Sequence, residues 1–270
     1  MVAKLFILGR PGSGKSTVRR YITKLAQHRF WSPYSTGDYE ILQDLCVADR
    51  TRTQIRPTEF GGFEVLKFSI LDVALQTIQH RVEKALAKHE LELPRIAIIE
   101  FARSDYGQAL SQFDPAFLKD AKFLILESDV DTCMNRILER TICRQFEDDT
   151  FVPVNIMEGY YQADSTLETI RDLQETFVLD SRQIQLMRTD GMRDEFLHDC
   201  IRPYAQTLLE PASQPRRITR PLALSHTYTS SIRIYGNLCP APLQSMQKGE
   251  EVNEQVDNTR EKQPVGVEFA

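Results

Sequence analysis

Near the amino terminus, glycines, a lysine and hydroxyl residues occur together at a spacing that is typical of phosphate-binding loops. The segment Gly-Arg-Pro-Gly-Ser-Gly-Lys-Ser-Thr completes the pattern G-x-x-x-x-G-K-[ST] at residues 9–17. Its glycines let the backbone curl until successive N–H groups converge on phosphate oxygens. Lys15 adds a positive charge for the β and γ phosphates, and the hydroxyl of Ser16 can ligate Mg²⁺. The residues expected to contact a nucleotide are Gly9, Arg10, Pro11, Gly12, Ser13, Gly14, Lys15, Ser16 and Thr17.

The segments on either side of the loop predict a strand before it and a helix after it. An apolar run, residues 5–8, leads into the loop, and apolar residues recur at helical spacing over about residues 15–28. The positive end of that helix's dipole would add to the anion site. Three basic residues are expected on its solvent-facing side: Arg19, Arg20 and Lys24.

A carboxylate at the end of a buried run is the second candidate for chemistry. Residues 96–99 are apolar and are followed by Glu100, which is typical of the carboxyl edge of a central parallel strand. Glu100 could hold Mg²⁺ through water, or take a proton from an acceptor hydroxyl. The alternative is a carboxylate that only faces solvent at a strand end.

The segment Ser-Thr-Gly-Asp at residues 35–38 leads into an amphipathic run. Ser35 or Thr36 could cap the helix predicted there, with Gly37 in a turn. The role of Asp38 stays open at this point.

The polar segment at residues 49–64 is expected to be irregular. It contains Arg56 and Phe63, which could clamp an anionic or planar acceptor. It could equally be a surface loop whose aromatic side chains enter the core. After it, apolar spacing predicts a long amphipathic helix over about residues 66–91.

Three arginines are spaced to lie on one face of a helix. Arg136, Arg140 and Arg144 follow a second buried strand, residues 121–127, and Asp131 is the expected amino-terminal cap of their helix. Aligned arginines repel one another unless anions lie opposite them. Those anions could be nearby acidic side chains or the phosphoryl group during transfer.

The remainder of the chain divides into a final strand and helix and a tail of different composition. Residues 182–188 alternate as in a strand, Asp190 and Gly191 predict a turn, and residues 195–209 predict an amphipathic helix. Pro, Ser, Gln, Asn and Thr dominate residues 211–270 and predict a disordered tail, which could dock weakly on a partner.

The composition limits the classes of protein that fit. The chain has 270 residues, a formal net charge of −5, and 41% hydrophobic and 26% charged residues, as in soluble globular proteins. No signal peptide is expected before the first strand, and no apolar run reaches the roughly 20 residues that span a bilayer. Five cysteines without a C-x-x-C pair predict free thiols in the cytoplasm. Membrane association is not expected, and the net acidity counts against nucleic acid as a partner.

The loop together with the Ser-Thr-Gly-Asp segment resembles adenylate kinase and related P-loop phosphotransferases. The resemblance covers residues 9–17 and 35–38, which lie about as far apart as in those enzymes. It implies that Asp38 opens the acceptor-binding region. It also implies a lid over about residues 136–158, whose arginines swing over the phosphoryl group.

The same resemblance implies further contacts. Some nucleoside kinases of this superfamily have a glutamate at the position of Glu100 with an arginine beside it, which points to Arg103. Two inserted residues separate this chain from their Glu-Arg-Ser, and the Asp-Gly-Phe-Pro-Arg of adenylate kinase is absent. The adenine ring would lie near the loop after the last strand, at Thr189, Asp190 and Gly191.

Strand–helix alternation and this resemblance predict an α/β fold: a three-layer P-loop domain over residues 1–210, with a mainly parallel five-stranded sheet between helices. The expected function is ATP- and Mg²⁺-dependent phosphoryl transfer to a small hydroxylated or phosphorylated acceptor. The alternative is a nucleotide-binding regulatory module or a slow NTP hydrolase, although the D-x-x-G and N-K-x-D signatures of GTPase switches are absent. The expected catalytic residues are Lys15, Glu100, Arg136, Arg140 and Arg144, the metal ligands Ser16 and Glu100, and the acceptor contacts Asp38, Arg56, Phe63 and Arg103.

Overall fold

The computed structural model describes residues 1–58, 62–87, 93–143, 146, 152, 154–161 and 166–210. All of them belong to one compact unit. The predicted catalytic residue Arg144, part of the predicted lid, and the whole of the predicted tail lie outside the described residues.

The strands are β1 (Val2–Gly9), β2 (Ser32–Gly37), β3 (Ile55–Pro57), β4 (Phe63–Val65), β5 (Arg95–Phe101), β6 (Ala121–Glu127) and β7 (Ile184–Arg188). The helices are α1 (Lys15–His28), α2 (Asp38–Ala48), α3 (Ser69–Ala87), α4 (Tyr106–Leu110), α5 (Pro115–Leu118), α6 (Val130–Ile142), α7 (Val154–Gly159), α8 (Thr166–Glu175) and α9 (Asp194–Leu208). Five strands form one sheet in the order β2-β5-β1-β6-β7, and every pairing in it is parallel. Helices cover both faces of this sheet, which confirms the predicted fold class.

Alternate residues of the central strand β1 pack on opposite faces of the sheet. Leu5 and Ile7 join α1 and α9 in one buried cluster. Phe6 and Leu8 join α2, α3 and α8 in another. Where a strand is covered on both faces it needs apolar residues at every position, and for this reason residues 5–8, in the buried part of β1, form a continuous apolar run.

Two predictions about local structure need correction. The segment expected to be irregular, residues 49–64, contains the antiparallel hairpin of β3 and β4. Ile55 anchors this hairpin in the core with 0% exposure, and Arg56 Nε donates to Glu64 Oε2 across it at 2.7 Å. The long helix expected from residue 66 begins at Ser69 and is described to Ala87.

Helix α1 has its predicted bounds, and the helices α4, α5 and α8 were not expected from the sequence. None of the described helices is both long enough and apolar enough to cross a bilayer. The cysteines in the described part of the chain are free, as predicted: Cys46, Cys133, Cys143 and Cys200.

The five parallel strands end at one edge of the sheet, and the predicted site residues lie at these ends. The phosphate loop follows β1, Asp38 follows β2, and Glu100 and Arg103 lie at the end of β5 and just beyond it. Gly37, the last residue of β2, is in register with Glu100. The carboxyl edge is where open α/β sheets bind ligands, so the fold collects these residues where chemistry is expected.

Candidate active site

A cleft of about 1410 Å³ opens at this edge of the sheet. The residues of the phosphate loop that line it are Pro11, Gly12, Gly14, Lys15, Ser16 and Thr17. The predicted residues from other elements that line it are Asp38, Arg56, Phe63, Glu100, Arg103, Arg136 and Arg140. Pockets for drug-sized ligands occupy about 300–1,000 Å³, so this cleft has room for a nucleotide and a second small molecule.

Side chains of the protein hold the carbonyl groups of the phosphate loop. Lys15 Nζ donates to the carbonyl of Arg10 at 2.8 Å, and Arg136 Nη1 donates to the carbonyl of Gly12 at 3.2 Å. Gly12 has a φ of 81°, and a Cβ there would lie 2.4 Å from the carbonyl oxygen of Cys133. Only glycine fits this close contact with α6. Because these carbonyl oxygens already accept hydrogen bonds, they would not repel an anion bound in the loop. The loop amides would be left to contact that anion.

Lys15 is partly exposed to the cleft, yet its ammonium group is densely surrounded. Burial lowers the pKa of Lys15 to about 8, the carboxylates of Glu100 and Asp38 oppose this effect, and the guanidinium of Arg140 adds to it. Lys15 is therefore mostly protonated at neutral pH, and an anion in the cleft would stabilise its charge.

Glu100 lies between the phosphate loop and α1. Ser16 Oγ donates to Glu100 Oε1 at 3.0 Å, and Arg19 Nε lies 3.2 Å from the same oxygen. Because Glu100 is only 8% exposed, the alternative of a solvent-facing carboxylate is wrong. Arg19, expected to face solvent, has 11% of its side chain exposed because it pairs with Glu100 and, at 3.1 Å, with Glu40.

The Ser16 hydroxyl and the Glu100 carboxylate fit a magnesium site. Mg²⁺ prefers oxygen ligands, keeps several waters, and is usually bound by one or two protein groups together with substrate phosphates. The two side chains supply adjacent oxygens next to Lys15, and they leave most of an octahedral shell to water and phosphate.

Asp38 forms a buried ion pair with Arg103. Arg103 Nη1 donates to Asp38 Oδ2, and the two side chains are 6% and 16% exposed, Arg103 being the more buried. Burial is the largest influence and opposes the charge on Arg103, but the attraction and hydrogen bond of Asp38, together with Tyr161 and Tyr160, outweigh it and raise the pKa of Arg103. The carboxylate of Asp38 therefore lies in the cleft with a fixed partner and a fixed position.

The capping interpretation of residues 35–38 is wrong. Helix α2 has Gly37 at its cap position, with no side-chain hydrogen bond, and Thr36 is buried in β2. Gly37 is required for a different reason: a Cβ at this position would lie 3.1 Å from Cγ of Glu100. The glycine therefore leaves space for the carboxylate on the neighbouring strand.

Aromatic side chains line the part of the cleft formed by α2, the hairpin, α3 and α7. The rings of Tyr39 and Phe63 stack with their centroids 5.2 Å apart, and those of Phe68 and Tyr160 stack at 5.4 Å. Tyr160 also meets Tyr161 edge-on at 4.7 Å. Only Phe63 was predicted from the sequence, since the other four come from segments without a motif.

The described arginines of α6 have different surroundings. Arg136 donates to the carbonyls of Thr189 and, at 2.8 Å, Met192, so it fastens the loop after β7 to the phosphate loop. Arg140 lines the cleft, and its charge lies close enough to Lys15 to lower the pKa of that lysine. Of the two, Arg140 is therefore the arginine whose charge acts on Lys15, whereas Arg136 holds the carbonyl groups of two loops.

The start of α6 is held by the loop after β7. Asp129, not Asp131 as expected, caps the helix: its carboxylate accepts from the amide of Thr132 at 2.6 Å, which lowers the pKa of Asp129 to about 2. Asp190 Oδ1 in turn accepts from the Asp129 amide at 2.8 Å and from Ser128 Oγ at 2.9 Å. The structure gives Asp190 this supporting contact where the resemblance implied contact with the base.

The predicted turn at Asp190 and Gly191 is present, and Gly191 has a φ of 67°. The residues of this loop that line the cleft come immediately after it: Met192, Arg193 and Asp194. Asp190 and Gly191, which were predicted to contact the nucleotide, are not among the residues that line the cleft; the positions just beyond them are.

Behind the phosphate loop lies a small cavity of about 30 Å³ that the sequence did not predict. The amide of Gly9 donates to the hydroxyl of Tyr106 at 2.7 Å, and Arg10 donates to the carbonyls of Ser128 and Tyr161 at 2.9 and 2.8 Å. Burial raises the pKa of Tyr106, so the phenol stays neutral. The side chain of Arg10, expected to contact the nucleotide, instead holds the loop from behind.

No family model matches the chain, and no curated protein does. Solved structures similar to it include a sugar kinase from a Janibacter species (15% identity, 77% of this chain, 95% of that chain, TM-score 0.39). They also include shikimate kinase from Acinetobacter baumannii in complex with shikimate (14%, 77%, 94%, 0.41) and a gluconokinase from Sinorhizobium meliloti (12%, 77%, 91%, 0.38). All three are named as kinases of small molecules, and the sequence resemblance given above is to phosphotransferases of this kind. At these identities and TM-scores they bear on neither the reaction nor the substrate of this chain.

Proposed function

We propose that the protein is an ATP- and Mg²⁺-dependent kinase that phosphorylates a small hydroxylated or phosphorylated acceptor. The observation that carries the proposal is the shared cleft. The phosphate loop and the Asp38–Arg103 pair line one cavity of about 1410 Å³, and Lys15 is close enough to Asp38 for the carboxylate to affect its pKa. A module that only senses a nucleotide needs no second polar site beside the phosphates.

For a hydroxyl acceptor, the acceptor oxygen attacks the γ phosphorus of ATP while the bond from that phosphorus to the β–γ bridging oxygen breaks, and ADP leaves. Asp38 takes the proton of the attacking hydroxyl, and Arg103 holds the carboxylate of Asp38 in place. Lys15 and Arg140 stabilise the negative charge on the transferring group. Rate enhancement in such a site comes mostly from positioning and electrostatics.

Ser16 and Glu100 are the residues that would hold Mg²⁺. The ion would supply charge neutralisation at the phosphate oxygens. Arg19 keeps the Glu100 carboxylate next to Ser16, because its Nε contacts the same oxygen that accepts from Ser16. The two carboxylates therefore have separate roles: Glu100 would hold the metal ion, and Asp38 would accept the proton of the acceptor hydroxyl.

Release of ADP over a panel of small alcohols and phosphate esters tests the proposal. ADP that forms only with an acceptor supports the kinase, whereas slow release without any acceptor supports the alternative hydrolase or regulatory module. Lys15→Met should lower the rate by about a hundredfold or more, as removal of other transition-state charges does. Lys24→Met, at an exposed position on the same helix, should not.

Two aspartates on α2 provide a matched test of the acceptor side. Asp38 and Asp44 each pair with an arginine, but Asp44 and its partner Arg81 are exposed and Asp44 does not line the cleft. Asp38→Asn should lower kcat by about 10²–10⁴ with little change in ATP affinity. Asp44→Asn should leave kcat unchanged. Equal losses in both variants, or none in either, would contradict the role given to Asp38.

A further inference from the structure

The part of the cleft around Asp38 differs chemically from the part around the phosphate loop. We propose that the acceptor is an uncharged alcohol with a flat aromatic or heteroaromatic ring, and not a phosphorylated or carboxylated molecule. This inference rests on the kinase function proposed above and narrows its substrate. The surface concerned is called the acceptor wall, and its residues are Asp38, Tyr39, Arg56, Phe63, Glu64, Phe68, Arg103, Tyr160 and Tyr161.

The aromatic residues of the acceptor wall come from different elements and meet in the cleft. Tyr39 lies on α2 and stacks on Phe63 of β4, while Phe68 lies just before α3 and stacks on Tyr160 just after α7. Phe68 is 56% exposed although it is apolar. Exposed apolar surface that is grouped in a cleft marks a binding site for apolar surface on a ligand. A flat ring fits here because stacked and edge-on ring contacts each improve affinity by about two- to tenfold.

The charges of the acceptor wall are compensated within it. Arg103 donates to the Asp38 carboxylate and, at 3.1 Å, to the carbonyl of Leu71. Arg56 binds Glu64 through Nε at 2.7 Å and Nη2 at 2.6 Å. The wall thus has two guanidinium groups and two carboxylates among its described residues. A phosphate or carboxylate that binds either arginine would have to displace the carboxylate already paired with it, whereas a neutral molecule would not.

The polar groups that remain suit an alcohol. Tyr161 Oη donates to the carbonyl of Ala102 at 3.4 Å beside the Asp38–Arg103 pair. Burial raises the pKa of Tyr161 well above its ordinary value, so it stays a neutral hydroxyl. The wall therefore offers a hydroxyl and a carboxylate to an acceptor alcohol, with ring surfaces around them.

The test measures ADP release by the full chain with Mg²⁺ and ATP over matched acceptors. The panel contains adenosine, guanosine, cytidine and uridine, their 5′-monophosphates, ribose as the ring-free polyol, and pyridoxine as a heteroaromatic alcohol that is not a nucleoside. We expect one ring-bearing alcohol to have a kcat/KM about a hundredfold above that of ribose and of the monophosphates. A nucleoside or pyridoxine as the best acceptor identifies the source of the ring.

The failures of the two proposals are distinguishable. If a monophosphate or ribose is the best acceptor, the inference about the acceptor is overturned and the kinase stands. If ADP forms without acceptor while calorimetric titration detects a bound ring alcohol, the kinase is overturned and the inference about the ligand stands. If no ring alcohol either reacts or binds, the inference is overturned.

Two substitutions test the acceptor wall itself, once the ring-bearing acceptor is measured. Phe68→Leu should raise KM for that acceptor by about tenfold and leave KM for ATP unchanged. Phe196→Leu is its control, because Phe196 is also exposed but does not line the cleft. Glu64→Gln frees Arg56 and should improve kcat/KM for the monophosphates relative to the neutral alcohols. Unchanged discrimination in both Phe68→Leu and Glu64→Gln would overturn the inference.

Discussion

The lowered pKa of Lys15 predicts how nucleotide affinity depends on pH. Without nucleotide the pKa is about 8, because burial outweighs the attraction of Glu100 and Asp38. A bound triphosphate places negative charge beside the ammonium group and raises this pKa. Affinity is therefore greatest at pH values well below 8, where Lys15 is already protonated, and it falls as the pH rises through 8. Above that pH the complex forms only if Lys15 takes up a proton.

The size of the effect follows from the titration of one group. With a pKa of about 8, Lys15 is about 90% protonated at pH 7 and about 10% protonated at pH 9. Nucleotide affinity should accordingly fall by about tenfold between these pH values, or by about 1.4 kcal/mol. A lysine with the ordinary pKa of about 10.4 would give almost constant affinity over the same range.

Calorimetric titration with a non-hydrolysable ATP analogue measures this prediction directly. Repeating the titration in buffers of different ionisation enthalpy also counts the protons taken up, which should approach one at about pH 9. Lys15→Met should bind more weakly with no such pH dependence, and Lys24→Met should behave as the unsubstituted protein. Constant affinity of the unsubstituted protein between about pH 7 and pH 9 would refute the reasoning.

Two further pairs of substitutions separate local strain and hydrogen bonding from general damage. Gly12→Ala should abolish nucleotide-dependent thermal stabilisation, because its Cβ would lie 2.4 Å from the carbonyl oxygen of Cys133. Gly191 is also at positive φ, but a Cβ there would have no atom within 4 Å. Gly191→Ala should therefore lower the free energy of unfolding by only about 1–2 kcal/mol and leave nucleotide binding intact. In urea unfolding, Tyr106→Phe should lose about 1–3 kcal/mol because it leaves the first amide of the phosphate loop unsatisfied. Tyr204→Phe should lose nothing, since that buried hydroxyl has no hydrogen-bond partner among the described residues. The reverse order in either pair would show that these contacts do not act as described.

The phosphate loop and the parallel sheet could be predicted because their signals are local. Residues 5–8 and 96–99 are apolar runs of the length that a doubly covered strand requires, and both are central strands. The loop residues at 9–17 are specified by their own spacing. The hairpin of β3 and β4 was not predicted because its strands have three residues each, which is too few for a period to be visible.

Contacts between distant segments could not be predicted from spacing. Helical periodicity correctly placed Arg136 and Arg140 on one side of α6, but it does not reveal what lies opposite each of them. Both line the cleft, but Arg136 donates to carbonyl groups, whereas the charge of Arg140 acts on Lys15. Arg19 was expected in solvent for the same reason, since its partner Glu100 lies 81 positions further along the chain in β5. The acceptor wall gathers residues from α2, β3, β4 and the segments next to α3, β5 and α7. Four of its residues were predicted as acceptor contacts, but the fold was needed to show that Tyr39, Glu64, Phe68, Tyr160 and Tyr161 lie beside them.

Arg10 links the phosphate loop to the acceptor wall through its hydrogen bonds. The carbonyl of Arg10 accepts from Lys15, while its guanidinium donates to the carbonyls of Ser128 and Tyr161. Tyr161 belongs to the acceptor wall. Since an ammonium group has three donors, Lys15 can keep its bond to Arg10 while it binds a phosphate oxygen. One residue thus holds both Lys15, the cation proposed to meet the nucleotide, and the backbone of Tyr161, a proposed acceptor contact. We therefore infer that the protein sets the distance between the two proposed sites before either ligand binds.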